Sequence, residues 1–397
     1  PHFFFAMDPV PVPPPAMSVA AKFLFLGVFA LITVVLVLLT HLIGWFRAFR
    51  SERRRQRLEA QEADATDDAA EQAPEVNHGP SAHLPDGTVP DQLLKQASQR
   101  AQCVALVTAQ PGAQRKQITY ASLGGMVRRI AQQLRSLGVQ QDNVVALALD
   151  RGVHQVTVVY AVMLSGSAWL PIDPAVPDNR LLDVLQDGSP SLLVFQDDDV
   201  GAHVAATAAT AGIPAAAVLL DGSGLENGVP DVASEELPRL RIDRHALLIY
   251  TSGTTGKPKG IMYSHSMLSH GANVIGDLME VGCGSVAFLK TPYIWAVVEW
   301  ELFPALIRGG TLVVGSANGH KDPKYMADVI LAEKVSCLVM APDVLDLLLD
   351  IHETGSQLQH LRHIVTVGAG LPVSLANRFA KMRRLEAKLH NVYGASE

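Results

Sequence analysis

From residue 90 onwards, short apolar runs alternate with longer stretches that have room for a helix. VVALAL at 144–149 predicts a buried strand, and the residues that follow predict a helix over 153–165. AWLPI at 168–172 predicts a second strand, followed by a helix over 177–188 that starts at a proline and stops at a glycine. Further apolar runs of strand length lie at 191–195, 216–220, 247–250, 311–314, 336–340 and 364–367. Strands separated by crossover helices predict an α/β fold with mainly parallel sheets and flanking helices.

A long apolar run precedes this region. Residues 23–46 contain no Asp, Glu, Lys or Arg, and as a helix they would be roughly 36 Å long, enough for a ~30 Å hydrocarbon layer. Arginines cluster over 47–57, and such clusters stay in the cytosol. A cleaved signal peptide is the alternative, but it needs a shorter apolar region and a small-residue cleavage site. The sequence therefore predicts a transmembrane helix over 22–46 in a single-pass membrane protein with the α/β region in the cytosol.

Polar segments flank the apolar run. Residues 1–21 contain PVPVPPP and predict a disordered, proline-rich tail. Residues 47–84 pass from basic to acidic and predict a linker, because this composition cannot bury much apolar surface. We therefore expect the folded domain to occupy 85–397. The chain begins at Pro1 rather than Met, so we expect it to be a fragment of a longer product.

Composition limits the classes of partner. The chain has 397 residues, 48% of them hydrophobic, which is ample for a large core. A net charge of −7 argues against nucleic acid as the main partner. Cys103, Cys283 and Cys337 follow no metal or redox spacing, so a reducing compartment and buried core positions are expected.

The most informative local pattern lies in LLIYTSGTTGKPKGIMY, residues 247–263. An apolar strand leads into a loop of hydroxyl groups, glycines and lysines: Thr251, Ser252, Gly253, Thr254, Thr255, Gly256, Lys257 and Lys259. Glycines let backbone N–H groups approach a ligand closely. Convergent N–H donors, hydroxyls and cations together suit a polyphosphate.

The loop does not have Walker spacing. Only two residues lie between Gly253 and Gly256, whereas four residues lie between the glycines of a Walker loop, which ends in Lys-Ser/Thr. Pro258 follows Lys257, where a hydroxyl would be needed on magnesium and where a proline opposes the start of a helix. The pattern therefore excludes a kinase- or GTPase-type phosphate loop.

The loop instead resembles the phosphate loop of the adenylate-forming superfamily, which includes acyl-CoA synthetases, luciferases and adenylation domains of nonribosomal peptide synthetases. NVYGASE at 391–397 resembles the family's Tyr-Gly-x-Thr-Glu motif, with Ser396 in place of Thr. The stretch at 163–194, which contains WLPIDP, and ITYASL at 118–123 are similar to two further motifs. The four motifs occur in the family's order, and the resemblance is closest to adenylation domains and acyl-CoA synthetases. It implies two sheets in a layered core plus a small barrel-like part.

The resemblance also implies a reaction and its residues. The family activates a small carboxylic acid with ATP and Mg²⁺, releases pyrophosphate and passes the acyl group to a thiol. The loop residues named above would bind the ATP phosphates, with Lys259, Thr255 and Glu397 as catalytic residues and Glu397 as the magnesium ligand. The adenine and AMP would contact Gly368, Ala369, Gly370, Tyr393, Gly394 and Ser396.

The matched acid pocket departs from the family pattern. WAVVEWELFPAL at 295–306 aligns with Phe-Asp-x-Ser-x-Trp-Glu, so that Trp295, Ala296, Val297 and Trp300 are the expected pocket residues. The Asp that would pair with a substrate's α-ammonium group falls on Ala296. An alanine cannot neutralise a buried cation, so the match argues against a plain α-amino acid. Glu299 either serves a displaced amine or is a carboxylate at the edge of the core or on the surface, and we favour the second interpretation.

Several alternatives stay open. The acceptor thiol is either phosphopantetheine on a carrier domain downstream or CoA. A membrane-anchored scaffold that has kept the fold and lost turnover is the alternative to an enzyme. The resemblance places the family's hinge and catalytic lysine beyond residue 397, so the fragment itself is expected to be inactive.

Overall fold

The computed structural model describes residues 87–109, 114–219, 221–225, 236–251, 258–382 and 385–394. Thirteen strands lie in these residues: β1 (Val104–Ala109), β2 (Gln117–Thr119), β3 (Val144–Ala148), β4 (Ala168–Pro171), β5 (Leu192–Gln196), β6 (Ala215–Val218), β7 (His245–Thr251), β8 (Lys259–Ser264), β9 (Val286–Leu289), β10 (Thr311–Gly315), β11 (Cys337–Met340), β12 (His363–Thr366) and β13 (Lys388–Asn391).

Helices connect most of the strands. They are α1 (Val89–Gln99), α2 (Tyr120–Ser136), α3 (Val153–Leu164), α4 (Asp178–Gly188), α5 (Asp199–Thr210), α6 (His265–Leu278), α7 (Val298–Leu302), α8 (Pro304–Ile307), α9 (Pro323–Ala332), α10 (Pro342–Gly355) and α11 (Val373–Ala380). A single 3₁₀ turn in the described residues covers Gly319–Lys321.

The strands form two sheets. The first has the order β13–β12–β11–β9–β10–β1–β2, and the second has the order β6–β5–β3–β4–β7–β8. All neighbouring strands run parallel except β2 beside β1 and β8 beside β7. The predicted α/β fold with mainly parallel sheets is therefore confirmed. All thirteen described strands belong to these two sheets, so the barrel-like part that the resemblance implied is not among the described residues.

Buried side chains on the two faces of each sheet belong to different core clusters. On β1, Leu106 belongs to a cluster that also contains Val145 of the second sheet and residues of α2 and α3. The next residue, Val107, belongs to a cluster with α9 and α10 on the opposite face. On β3, Ala146 likewise faces α4 and α5. Because successive side chains of a strand point to opposite faces, α2 and α3 lie in a layer shared by both sheets.

The transmembrane part of the fold prediction is wrong. Within the described residues, no helix combines the length and the apolar character that a membrane crossing requires. Even α3, whose twelve residues are all buried, is only about 18 Å long, against a hydrocarbon layer of about 30 Å. We therefore correct the expected transmembrane helix and the single-pass membrane localisation that depended on it. Residues 22–46, the tail over 1–21 and the linker over 47–84 lie outside the described residues.

Candidate active site

The carboxyl ends of the two sheets meet, which brings the loops that follow their strands together. Tyr293, which follows β9 of the first sheet, donates its hydroxyl to the carbonyl of Leu147 on β3 at 2.6 Å. The same hydroxyl accepts the backbone N–H of Leu149 at 2.9 Å. Arg151, which follows β3, donates to the carbonyl of Ser316 after β10 at 2.5 Å. Ligands of open α/β sheets bind beyond such carboxyl ends, so this edge is the candidate site.

The predicted phosphate loop connects the two strands of a hairpin. Thr251 at the end of β7 pairs with Lys259 at the start of β8, and Tyr250 pairs with Gly260. Thr251 is half-buried and Lys259 is exposed. The hairpin therefore places a cation and a hydroxyl opposite each other at the two ends of the loop. The remaining predicted loop residues lie outside the described residues: Ser252, Gly253, Thr254, Thr255, Gly256 and Lys257.

Tyr250, on the strand that enters the hairpin, forms a contact that the sequence analysis did not predict. The hydroxyl of Tyr250 donates to Asp187 Oδ2 at 2.5 Å, which ties β7 to the end of α4. Burial and Asp187 raise the pKa of Tyr250. A Cβ on Gly260 would lie 3.1 Å from both Leu248 Cδ1 and Tyr250 Cζ, so glycine lets β8 pass close to the ring. Tyr250 lies within an apolar run, and no local pattern links it to Asp187.

The predicted adenine-binding residues come from two adjacent strands of the first sheet. β12 leads to Gly368, and β13 leads to Tyr393; the strands are parallel, with Thr366 opposite Asn391. Gly368 has a φ of +87°, which favours glycine. A Cβ built on Gly368, Gly370 or Gly394 meets no atom within 4 Å, and Ala369 is exposed. Tyr393 is 98% exposed. The two loops thus share one sheet edge with open space beside them.

The matched acid segment, residues 295–306, follows β9 and includes α7 and most of α8. Trp295 is 63% exposed, while Ala296, Val297 and Trp300 are partly buried and pack against the core between the sheets. Tyr293 stacks on Trp169 with ring centroids 6.3 Å apart. The segment is therefore held by contacts with the core, and the Trp295 side chain is exposed to solvent.

Burial disfavours the charged form of the Glu299 carboxyl. Burial raises its pKa to about 8, and its Oε2 is buried with no hydrogen-bond partner among the described residues. A carboxyl group that resists ionisation is a poor partner for an ammonium group, which supports the interpretation of Glu299 as a group at the edge of the core rather than as the partner of a displaced amine.

A small cavity joins the hairpin to the acid segment. It has a volume of about 130 Å³, and its lining includes Asp173 after β4, Arg180 on α4, Tyr250 on β7 and Ile294. Ile294 directly precedes Trp295. The strand that enters the phosphate loop and the segment matched to the acid pocket are thus neighbours, although 44 residues separate Tyr250 from Ile294 in the chain.

The described residues also bear on the expected metal site. They contain no group of three or more His, Cys, Asp or Glu side chains that could hold a metal ion. Glu397, the expected magnesium ligand, and Ser396 lie outside the described residues. Of the three cysteines, only Cys337 is buried, whereas Cys103 and Cys283 are exposed, so the expectation of buried cysteines holds for one of them.

Comparison with known proteins identifies the family. A family model described as AMP-binding enzyme matches residues 93–397. The chain belongs to this family. Phosphinothricin tripeptide synthetase PhsB of Streptomyces viridochromogenes is 33% identical over 323 residues, which cover 79% of this chain and 26% of that protein. Enterobactin synthase component F of Escherichia coli O157:H7 is 28% identical over 319 residues, which cover 79% of this chain and 23% of that protein. The chain thus spans about a quarter of the length of these two relatives.

Solved structures show the same fold. The nonribosomal peptide synthetase FmoA3 in its AMPPNP-bound form aligns with a TM-score of 0.67 and 22% identity over 79% of this chain and 32% of its own. The N-terminal subdomain of Klebsiella oxytoca NpsA, in complex with 3-hydroxyanthranilyl-AMSN, aligns with a TM-score of 0.63 and 21% identity over 78% of this chain and 73% of its own. The expected membership of the adenylate-forming enzymes, which are ligases, is therefore confirmed at the level of the family.

Proposed function

We propose that the full-length protein to which the chain belongs activates a carboxylic acid as an acyl-adenylate, with ATP as the second substrate and pyrophosphate as the released product. The observation that carries this proposal is the cavity shared by Tyr250 and Ile294. Phosphate-binding and acid-binding segments must be neighbours in such an enzyme, because the acid attacks the nucleotide.

The reaction joins two anions. A carboxylate oxygen attacks the α-phosphorus, the bond from that phosphorus to the bridging oxygen breaks, and pyrophosphate leaves with the electron pair. Lys259 at the mouth of the hairpin and Lys257 in the loop would offset the repulsion, together with hydroxyl and N–H donors from Thr251 to Gly256. Glu397 would hold Mg²⁺, which would supply positive charge that offsets the negative charge of the phosphates.

The nucleotide base would bind beside the loops after β12 and β13. The open space next to Gly368 and Gly370 leaves room for the backbone to approach a flat ring. The exposed ring of Tyr393 is available for stacking on the base. Ala369, Gly394 and Ser396 complete the proposed AMP contacts.

We propose that the pocket has no carboxylate that pairs with an α-ammonium group of the bound acid. Ala296 stands where the family carries Asp, and burial raises the pKa of Glu299 to about 8, which disfavours the charged form that an ammonium group would need as its partner. Trp295, Val297 and Trp300 would contribute apolar and aromatic contacts to the acid. The NpsA neighbour has also been crystallised with 3-hydroxybenzoyl-AMSN, which supports aryl acids as one class of candidate.

We extend the proposal to transfer of the acyl group to a thiol. Attack by the thiol on the acyl carbon would release AMP and form a thioester. The match to multidomain synthetases favours phosphopantetheine on a carrier domain over CoA. Incubation of the full-length protein with an acid, ATP and either thiol would distinguish the two acceptors.

The central test is acid-dependent exchange of labelled pyrophosphate into ATP. The full-length protein is screened against amino, hydroxy, aryl and fatty acids. Lys259→Ala should lower exchange by about 10²–10³, the typical effect of losing one charge-stabilising donor. Lys95→Ala, which removes an exposed lysine on α1 that has no part in the proposed site, is the matched control. A folded, ATP-binding protein that exchanges with no acid would contradict the proposal.

A further inference from the structure

A buried ion pair lies at the base of the acid segment. Lys290, which directly follows β9, and Glu301 on α7 have side chains that are only 6% and 1% exposed, with Nζ and Oε1 2.7 Å apart. Lysine and glutamate are almost never fully buried unless they are paired, and the desolvation of such a pair can outweigh its attraction. Stability alone is therefore a weak explanation for this pair.

Glu301 binds the end of β9 through both of its oxygens. Oε2 accepts the backbone N–H groups of Lys290 and Thr291, each at 2.8 Å. Oε1 accepts Lys290 Nζ and Thr291 Oγ1, each at 2.7 Å. One carboxylate thus joins the two ends of the stretch from residue 290 to residue 301, and this stretch contains the part of the matched acid segment that holds Ala296, Val297 and Trp300.

The middle of the same loop is held separately. Tyr293 binds the carbonyl of Leu147 and stacks on Trp169. Beyond Tyr293, Trp295 points into solvent. The backbone between Tyr293 and Glu301 is therefore held at both ends. Only a few side chains in this stretch are left to contact a ligand.

We infer that Glu301, together with Lys290, is a positioning residue for the acid. Glu301 does not touch the acid. Its four hydrogen bonds set the angle at which α7 leaves β9, and this angle places Ala296, Val297 and Trp300 around the bound acid. The inference rests on the proposed function, because it assumes that this segment binds the acid.

The test measures KM for the acid and KM for ATP separately in pyrophosphate exchange by the full-length protein. The probe is the acid that gives the fastest exchange in the screen above. Glu301→Gln keeps an acceptor for the two backbone N–H groups but leaves the Lys290 cation buried without its counter-charge. We expect KM for the acid to rise about tenfold to a hundredfold, because small misplacements of reacting groups have effects of this size. KM for ATP should stay within experimental error.

A double variant in which both side chains of the ion pair are neutral should restore KM for the acid. Lys290→Met combined with Glu301→Gln removes the unpaired charge and retains the backbone acceptor, so KM for the acid should return most of the way to that of the unaltered protein. Thr291→Val removes only one of the four hydrogen bonds and should give a smaller rise. It keeps the inference testable if Glu301→Gln fails to fold.

Controls separate positioning from folding. Arg241→Ala breaks an exposed ion pair with Asp243 and should change neither KM. A merely structural role would lower Tm and the active fraction and leave KM for the acid unchanged, and this result would overturn the inference while the proposed function stands. Absence of exchange by the unaltered, folded protein would overturn both.

Discussion

At the scale of single residues, Glu299 shows how burial changes a carboxyl group. Its pKa is raised from the ordinary 4.5 to about 8 by desolvation, so the folded state binds the proton more tightly than the unfolded chain does. The protonated Glu299 carboxyl therefore makes its full contribution to the free energy of unfolding below about pH 4.5. This contribution is lost as the pH rises through about 8.

Glu299→Gln should remove this pH dependence. Glutamine resembles the protonated carboxyl and does not ionise. The free energy of unfolding of the variant, relative to that of the unaltered protein, should therefore rise by a few kcal/mol between about pH 5 and about pH 9. Thermal unfolding over this range provides the measurement, and Glu386→Gln at an exposed position provides the control. A difference between the two proteins that is constant with pH would show that Glu299 is ionised in the fold.

Ala296 carries the prediction on substrate class. Introducing a carboxylate with Ala296→Asp should improve exchange with L-α-amino acids relative to their desamino analogues on the order of tenfold, since hydrogen bonds to charged groups have this strength. The ratio of kcat/KM values for each pair of acids is the readout. A strong preference of the unaltered protein for α-amino acids would contradict the alignment of Ala296.

At the scale of elements, the sequence predicts interior strands better than edge strands. VVALAL and SLLVF become β3 and β5, which lie inside their sheet. β8 and β13 were missed because each is an edge strand with several exposed positions, so neither forms an uninterrupted apolar run. β9 was also missed, although its residues VAFL form an apolar run as long as those of β11 and β12.

The sequence predicts the local parts of the candidate site better than its long-range contacts. The loop over 251–259 and the acid segment were found because each is contiguous in the chain. The anchors Tyr250–Asp187 and Lys290–Glu301 join residues on different elements. Their side chains carry no periodic signal, so only the fold reveals the pairing.

The phosphate hairpin depends on a glycine that packs against Tyr250. Gly260→Ala would place a methyl group 3.1 Å from the Tyr250 ring, and overpacking of this kind typically costs about 1–3 kcal/mol. We expect KM for ATP to rise more than KM for the acid, because the displaced strand carries Lys259. Gly125→Ala, whose added Cβ meets no atom within 4 Å, should leave both values unchanged. Equal KM values for ATP in the two variants would contradict this account of the hairpin.

At the scale of the whole molecule, one core connects the two sheets. Residues from both sheets and from the helices between them form a single buried cluster. Tyr293 adds a polar link between the sheets, because its hydroxyl bonds to backbone groups on both sides of the end of β3. The two sheets should therefore unfold together.

Tyr293→Phe tests this link. The substitution keeps the ring that stacks on Trp169 and leaves the N–H of Leu149 buried without its partner, which should cost about 1–3 kcal/mol. The carbonyl of Leu147 keeps its hydrogen bond from the N–H of Ile172. In urea, circular dichroism and tryptophan fluorescence should report one coincident transition, shifted to lower concentration. Tyr393→Phe alters a ring that is 98% exposed and should leave the midpoint unchanged. Two separated transitions in the unaltered protein would show that the sheets are independent, since a shared core cannot lose one sheet without exposing the other.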